Sequence, residues 1–264
     1  MFIDTHTHIY TDDFDADRNE VVARAQAAGA KLLLLPNIDE ASITPMLQLC
    51  SEYPNVCYPM MGLHPTELPN DPWPLLQQMS SMLQVANNPF IAVGEVGIDL
   101  YWDQSRRTQQ IETFRFQAQL AEQLSLPLMI HSRAAHADLV RTLLPQKNAI
   151  SGVFHCFGGN QEEAEELLRT FPNFVLGIGG VITFKKSILP SVLHSTVPLS
   201  RIVIETDAPY LAPTPHRGKR NEPCYLPLVI DKLSEIYEQP KEVIEQTLLD
   251  NTYRIFTKLK ALKT

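Results

Sequence analysis

Residues 127–157 read PLMIHSRAAHADLVRTLLPQKNAISGVFHCF, and the architecture is legible in them. Two apolar runs, PLMIHS at 127–132 and ISGVFHCF at 150–157, enclose a segment at 134–144 whose apolar residues recur at helical spacing. Neither run alternates strictly between apolar and polar residues, as a strand covered on one face would; near-continuous apolarity suits a strand buried on both faces of a parallel sheet. The link between them is long enough for a helical crossover and holds no Asn-Gly hairpin signal. The stretch therefore reads as strand, helix, strand, and a histidine lies near the end of each strand: His131 and His155.

The same unit repeats in both directions. Upstream lie FID at 2–4 with a helix at 15–28 closed by Gly29, KLLLLPN at 31–37 with a helix near 40–52, and VCYPMMGLH at 56–64 with a helix from Trp73 to Ala86. IAVGEVGI at 91–98 pairs with the long segment 104–125. Downstream, 160–171 is helical, with the acidic residues QEEAEE favourably placed at its positive end. NFVLGIGG at 173–180 precedes a helical stretch near 186–195, and RIVIETDA at 201–208 precedes helices at about 225–237 and 240–249. Eight runs alternating with eight helical patterns predict an α/β fold of the TIM-type (β/α)8 barrel, one domain spanning 1–264; an open doubly wound sheet is the alternative.

Bulk properties exclude little else. A 44% hydrophobic content with 20% charged residues suits a chain that buries a large core, and no apolar run approaches the roughly 20 residues of a membrane span. The opening MFIDTHTH shows no basic leader, and Cys50, Cys57, Cys156 and Cys224 form neither a CxxC pair nor a disulfide framework, so a cytoplasmic location with reduced thiols is expected. A net charge of −8 disfavours a globally basic nucleic-acid coat, yet a local basic loop or bound cations could still serve an anionic substrate. No segment announces an obligate protein partner.

Side chains alternate across a strand, so one parity faces the barrel interior. His6 and His8 share a parity on the first run; so do Val93, Glu95 and Gly97, Met129 and His131, Val153 and His155, and Val203, Glu205 and Asp207. His6, His8, Glu95, His131, His155 and Asp207 all fall towards the C-terminal ends of their runs, the face where such barrels carry their chemistry. Imidazoles and carboxylates without thiolates suit Zn²⁺, Mn²⁺, Fe²⁺ or Ni²⁺, or Mg²⁺ with waters completing its shell. These six are the expected ligands of two divalent cations, with Glu95 as the best-placed bridge. Such a centre predicts a hydrolase.

Around it, His64 in GLHP, Arg133 after the fifth run, and His216, Arg217, Lys219 and Arg220 in the loop PHRGKRNEP are the candidates for phosphate binding. Tyr101 and Trp102 lie just past Glu95, where a base could stack or the barrel rim be covered. Glu205 is expected to orient a histidine or to pair with Arg133. His136 is expected on the surface or at a helix N-terminus and not as a ligand, His194 is expected to be solvated, and Cys156, opposite in parity to His155, is expected to face the helices.

Together these strings resemble the TatD family of metal-dependent deoxyribonucleases: FIDTHTH, GLHP, VGEVGIDLYW, the spacing of Gln110, Phe114 and Gln117 before LPLMIHSR, then FHCFGG, ETDAPYLAP and PHRGKRNEP. The one departure is THTH where SHCH or THCH is commoner. The resemblance implies a TIM-type barrel with one cation on His6, His8 and Asp207, a second on His131 and His155, and Glu95 shared. It implies hydrolysis of DNA phosphodiesters, by 3'-5' exonuclease action, abasic-site cleavage or both. The chemistry of the residues agrees: Asp207, a ligand with a free oxygen, is the expected acceptor of the water's proton, and Asp207 and Glu95 are the expected catalytic carboxylates. The competing readings are a small-molecule lactonase, amidohydrolase or deaminase on the same scaffold, and a non-enzymatic metal binder. Many two-metal amidohydrolases bridge their ions with a carbamylated lysine on the fourth strand; residues 91–103 contain no lysine.

Overall fold

Every strand of the protein runs parallel to its neighbours, in a computed structural model that describes residues 1–261. The strands are β1 (Phe2–Asp4), β2 (Ala30–Pro36), β3 (Cys57–Met60), β4 (Val93–Asp99), β5 (Leu128–Arg133), β6 (Gly152–Phe154), β7 (Phe174–Ile178) and β8 (Ile202–Ile204). Between them lie α1 (Arg18–Ala27), α2 (Glu40–Glu52), α3 (Trp73–Gln84), α4 (Arg107–Leu124), α5 (His136–Leu143), α6 (Gln161–Thr170) and α7 (Leu189–Thr196). α8 (Leu226–Tyr237), α9 (Lys241–Ile255) and α10 (Lys258–Ala261) follow β8.

Continuous ladders join β1 to β3 and β4 to β8. A parallel bridge between Met61 and Val93 connects β3 to β4, and one between Thr7 and Ala208 connects the end of β1 to the end of β8. The N–H of Thr5 also donates to the carbonyl of Ile204 at 3.1 Å. The strands thus succeed one another in sequence order and return to the first, without the reversal of order that marks a doubly wound sheet.

The interior is filled, not hollow. Ile3, Leu34, Met60, Ala92, Met129, Val153, Val175 and Val203 form an apolar layer, and Tyr253, Ile255, Phe256 and Leu259 from α9 and beyond pack into it. Asn251 on α9 donates to the carbonyl of Ile202 at 2.7 Å, so this plug sits at the N-terminal ends of the strands. That need for apolar closure is why α9 runs to Ile255, past the expected end near 249. The opposite end, where the strands finish, is left for polar chemistry. No described helix is long and apolar enough to cross a membrane.

Three local expectations are corrected. Val93 packs with Val96 and Ile98 in the layer under the helices, not inside the barrel. Val93 pairs with Leu128 but Val96 with Ile130, so β4 carries one extra residue, and it is Glu95, Gly97 and Asp99 that share the inner parity. The first helix starts at Arg18, because Asp12–Phe14 form a separate 3-10 turn and the Asp17 carboxylate pairs with Arg24 and Arg220. Cys156 takes a left-handed backbone (φ 47°) beyond the end of β6, which turns it to the cavity wall instead of the helices.

Candidate metal centre

Main-chain bonds first interlock the ends of β1 and β8. The Asp4 carboxylate accepts the N–H of His6 at 3.2 Å, the N–H of Thr206 at 3.0 Å and the Thr206 hydroxyl at 2.5 Å. The N–H of Asp207 donates to His6, and that of His8 to Ala208. His6, His8 and Asp207 are therefore fixed as one unit, and ligating atoms of the three lie within 4.8 Å of one another.

Each embedded imidazole turns one nitrogen to a common centre. Nε2 of His6 and Nε2 of His8 stand 3.0 Å apart. The Tyr10 hydroxyl donates to the carbonyl of Pro36, so its oxygen accepts from His8 Nδ1–H at 2.9 Å and leaves the Nε2 lone pair free for the centre. His131 Nε2 meets Asp99 Oδ2 at 2.9 Å, leaving Nδ1 inward. His155 Nδ1 lies 2.9 Å from Glu205 Oε1, leaving Nε2 inward. His64 is held through Nδ1 by Thr66.

Glu95, 3% exposed, divides the cluster. Its Oε2 lies 3.1 Å from His6 Nε2 and 3.5 Å from His8 Nε2. Its Oε1 lies 3.1 Å from His131 Nδ1, 3.4 Å from His64 Nε2 and 3.7 Å from His155 Nε2. Asp207 Oδ1 completes the ring at 3.7 Å from His6, His8 and His155. Two glycines make this packing feasible. Gly97 adopts φ 148° where a Cβ would fall 1.9 Å from the His131 carbonyl oxygen, and a Cβ on Gly177 would fall 2.3 Å from Glu205 Oε2.

The charges are correspondingly displaced. Burial lifts the Asp207 carboxyl to about 6. For Glu95 burial acts in the same sense but is overcome by His6, His64 and His155, so its carboxyl stays well below the usual range. Burial would lower His155, yet Glu205, Asp207 and Glu95 raise it to about 10. His6 is pushed well down, by burial and then by His155. Such a concentration of lone pairs, with no lysine or arginine among them, is the donor set that divalent cations complete: nitrogen and carboxylate oxygen, no thiolate needed, and opening on a cavity that leaves coordination sites free.

That cavity, about 1090 Å³, is lined by His8, His64, Glu95, His131, His155 and Asp207, with His6 buried beneath. Arg133 lines it too, but its guanidinium lies 3.8 Å over the Tyr101 ring and 5.3 Å from that of Trp102, so Glu205 orients His155 and the Cys156 N–H instead of pairing with Arg133. His216, Arg217 and Lys219 do not line the cavity. His216 stacks on Tyr225, Arg217 lies over Phe184, and Arg220 is engaged by Asp17 and Glu222. His136 lines the wall and reaches Glu166 at 2.8 Å; His194 is exposed but holds the Ile236 carbonyl.

Asp4, Tyr10 and Asp99 escape a reading by sequence alone. Only Asp99 carries a signal there: it lies two and four residues beyond Gly97 and Glu95, on their parity.

Comparison with known proteins adds an independent line. The family described as TatD related DNase matches residues 3–257. The chain is 35% identical over 261 residues to the metal-dependent hydrolase YabD of Bacillus subtilis, covering 97% of this chain and 99% of that one. It is 31% identical over 259 residues to the 3'-5' ssDNA/RNA exonuclease TatD of Pectobacterium atrosepticum, covering 96% and 98%. The crystal structure of YjjV, a TatD homolog from Escherichia coli K12, superposes with a TM-score of 0.88 at 31% identity, covering 97% and 98%.

Proposed function

The chain belongs to the TatD-related DNase family of metal-dependent hydrolases, and on that premise we propose that it cleaves phosphodiester bonds of DNA using two divalent cations, Zn²⁺, Mn²⁺ or Mg²⁺, held on either side of Glu95. The observation that carries this reading is the split of the Glu95 carboxylate, with Oε2 towards His6 and His8 and Oε1 towards His131 and His155. Asp207 completes the first set. His64, 3.4 Å from the same Oε1, stands at the rim of the second.

Divalent cations bound there would supply an acidified water and positive charge at the phosphoryl oxygens. The residues of the chain do the rest. Asp207, whose Oδ1 stands 3.7 Å from His6, His8 and His155, would accept the proton of the attacking water. Glu95 holds both halves of the centre in register. Glu205 and Asp99 each grip the outer nitrogen of a histidine, fixing which nitrogen faces inward. His64 and Arg133, both on the cavity wall, are placed to bind the phosphate beside the scissile bond.

The Pectobacterium relative is named for 3'-5' action on single strands, and end-directed cleavage is the reaction proposed here; abasic-site cleavage is the second DNA activity to test. Four free cysteines accord with a cytoplasmic enzyme. End-labelled single-stranded DNA and an abasic-site duplex, incubated with Mg²⁺ or Mn²⁺ beside a His155→Ala control, test the reading. Products from the wild-type protein alone support it; metal-independent cleavage, or none with any divalent cation, refutes it.

A further inference from the structure

Two loops meet on the rim of the mouth opposite the strand β4. The loop after β7 carries Phe184, Lys185 and Lys186, and the loop after β8 carries Arg217 and Lys219. They are pinned together: Thr214 N–H donates to the Thr183 hydroxyl at 2.8 Å, the Thr214 hydroxyl donates to the Thr183 carbonyl at 3.2 Å, and the Arg217 guanidinium lies 4.4 Å over the Phe184 ring. All four cations are exposed, and among the described residues none of them forms an ion pair with a carboxylate. In a chain of net charge −8, where Arg24, Arg107 and Arg220 are all engaged by acids, this is a concentrated positive edge.

Across the mouth, after β4 and β5, stands the other feature. Trp102 is 71% exposed and Tyr101 58% exposed, and Arg133 braces both rings. An apolar ring left this open, beside a site for phosphodiesters, is a platform for an unpaired base. The paired centre lies between platform and edge, because β4 and β8 stand half a turn apart in the ring of strands.

We infer that the joined loops after β7 and β8 bind the phosphates of an extended single strand whose bases on the other side of the cleaved bond stack on Trp102. This deepens the proposed function and rests on it, since it names the two surfaces that hold the strand on either side of the centre. The side chains of the edge stand outside the cavity, so they serve a strand that continues beyond it. Stacking needs unpaired bases, so a duplex is excluded from the platform.

The test separates the two claims. Fluorescence anisotropy of the full chain in Mn²⁺, with 5'-fluorescein dT12 carrying cleavage-resistant phosphorothioate linkages, reads binding alone. Hydrolysis of bis(p-nitrophenyl) phosphate reads the centre. Lys185→Gln/Lys186→Gln is expected to weaken dT12 binding roughly tenfold and to reduce the slope of log affinity against log salt by about 1.4, at about 0.7 for each phosphate of a single strand that is no longer neutralised. Its hydrolysis of the small ester is expected to match wild type. Trp102→Ala is expected to weaken dT12 without changing the salt slope, and a blunt duplex of equal length to bind more weakly than dT12. A double variant with wild-type affinity and slope, or duplex binding equal to that of the single strand, overturns the inference. No cleavage of unmodified dT12 by the wild-type protein with any divalent cation would instead overturn the proposed function.

Discussion

Replacing Asp99 by Asn should damage one half of the centre and spare the other. Asp99 Oδ1 accepts the N–H of Tyr101 at 2.9 Å, and Oδ2 meets His131 Nε2 at 2.9 Å. An amide at this buried position has one acceptor for two neighbours. Turned with its oxygen to Tyr101, it presents an NH₂ group to His131 Nε2. That nitrogen must then accept, and the proton of the neutral ring moves to Nδ1, the nitrogen 3.1 Å from Glu95 Oε1. Turned the other way, it sets its NH₂ against the Tyr101 N–H, donor against donor. Either arrangement forfeits a buried hydrogen bond to a charged group, worth about 1.5–3 kcal/mol, which corresponds to about 10- to 150-fold in affinity. Calorimetric titration of metal-free protein with Mn²⁺ is the assay. Asp99→Asn is expected to bind the equivalent assigned to His6, His8 and Asp207 as wild type does and to bind the other that much more weakly. Two wild-type affinities would refute the role given to Asp99, and equal weakening of both would refute the division of the centre at Glu95.

Gly177→Ala forces a methyl to within 2.3 Å of Glu205 Oε2 and drives that carboxylate off His155; a stability loss of about 1–3 kcal/mol in urea unfolding is expected, with metal affinity falling too, and an unchanged midpoint would show that Glu205 has room to move. Protons compete with cations for the same atoms. The metal-free Asp207 carboxyl, lifted to about 6, is protonated below that pH, so Mn²⁺ affinity should fall as pH drops through 6; a flat profile from pH 7 to 5 contradicts this. His155, raised to about 10 by Glu205, Asp207 and Glu95 against its burial, carries a proton at pH 8. Loading the metal-free protein at pH 8 in weak buffer should therefore release protons to an indicator dye, and no release means that His155 is not displaced from its protonated form.

The gathering of His6, His8, Glu95, His131, His155 and Asp207 was legible because parallel strands all finish at one mouth, so position along each run translates into position in space. What stayed hidden depends on departures from regular backbone. One extra residue in β4 reverses Val93 while leaving Glu95 inward, and a left-handed turn brings Cys156 to the cavity; strict alternation foresees neither. Asp4 and Asp99 read as ordinary carboxylates until their partners are seen. The cationic loop at 216–220 was legible as charge, but its distance from the centre follows from packing of Arg217 on Phe184 and His216 on Tyr225, pairings with no sequence periodicity.

Anomalous scattering from a crystal soaked in Mn²⁺ tests the central claim most directly. Two peaks about 3.5–4 Å apart, one against Glu95 Oε2 with His6, His8 and Asp207 and one against Oε1 with His131 and His155, are expected. A single peak, or peaks placed away from Glu95, would contradict a centre built around that carboxylate.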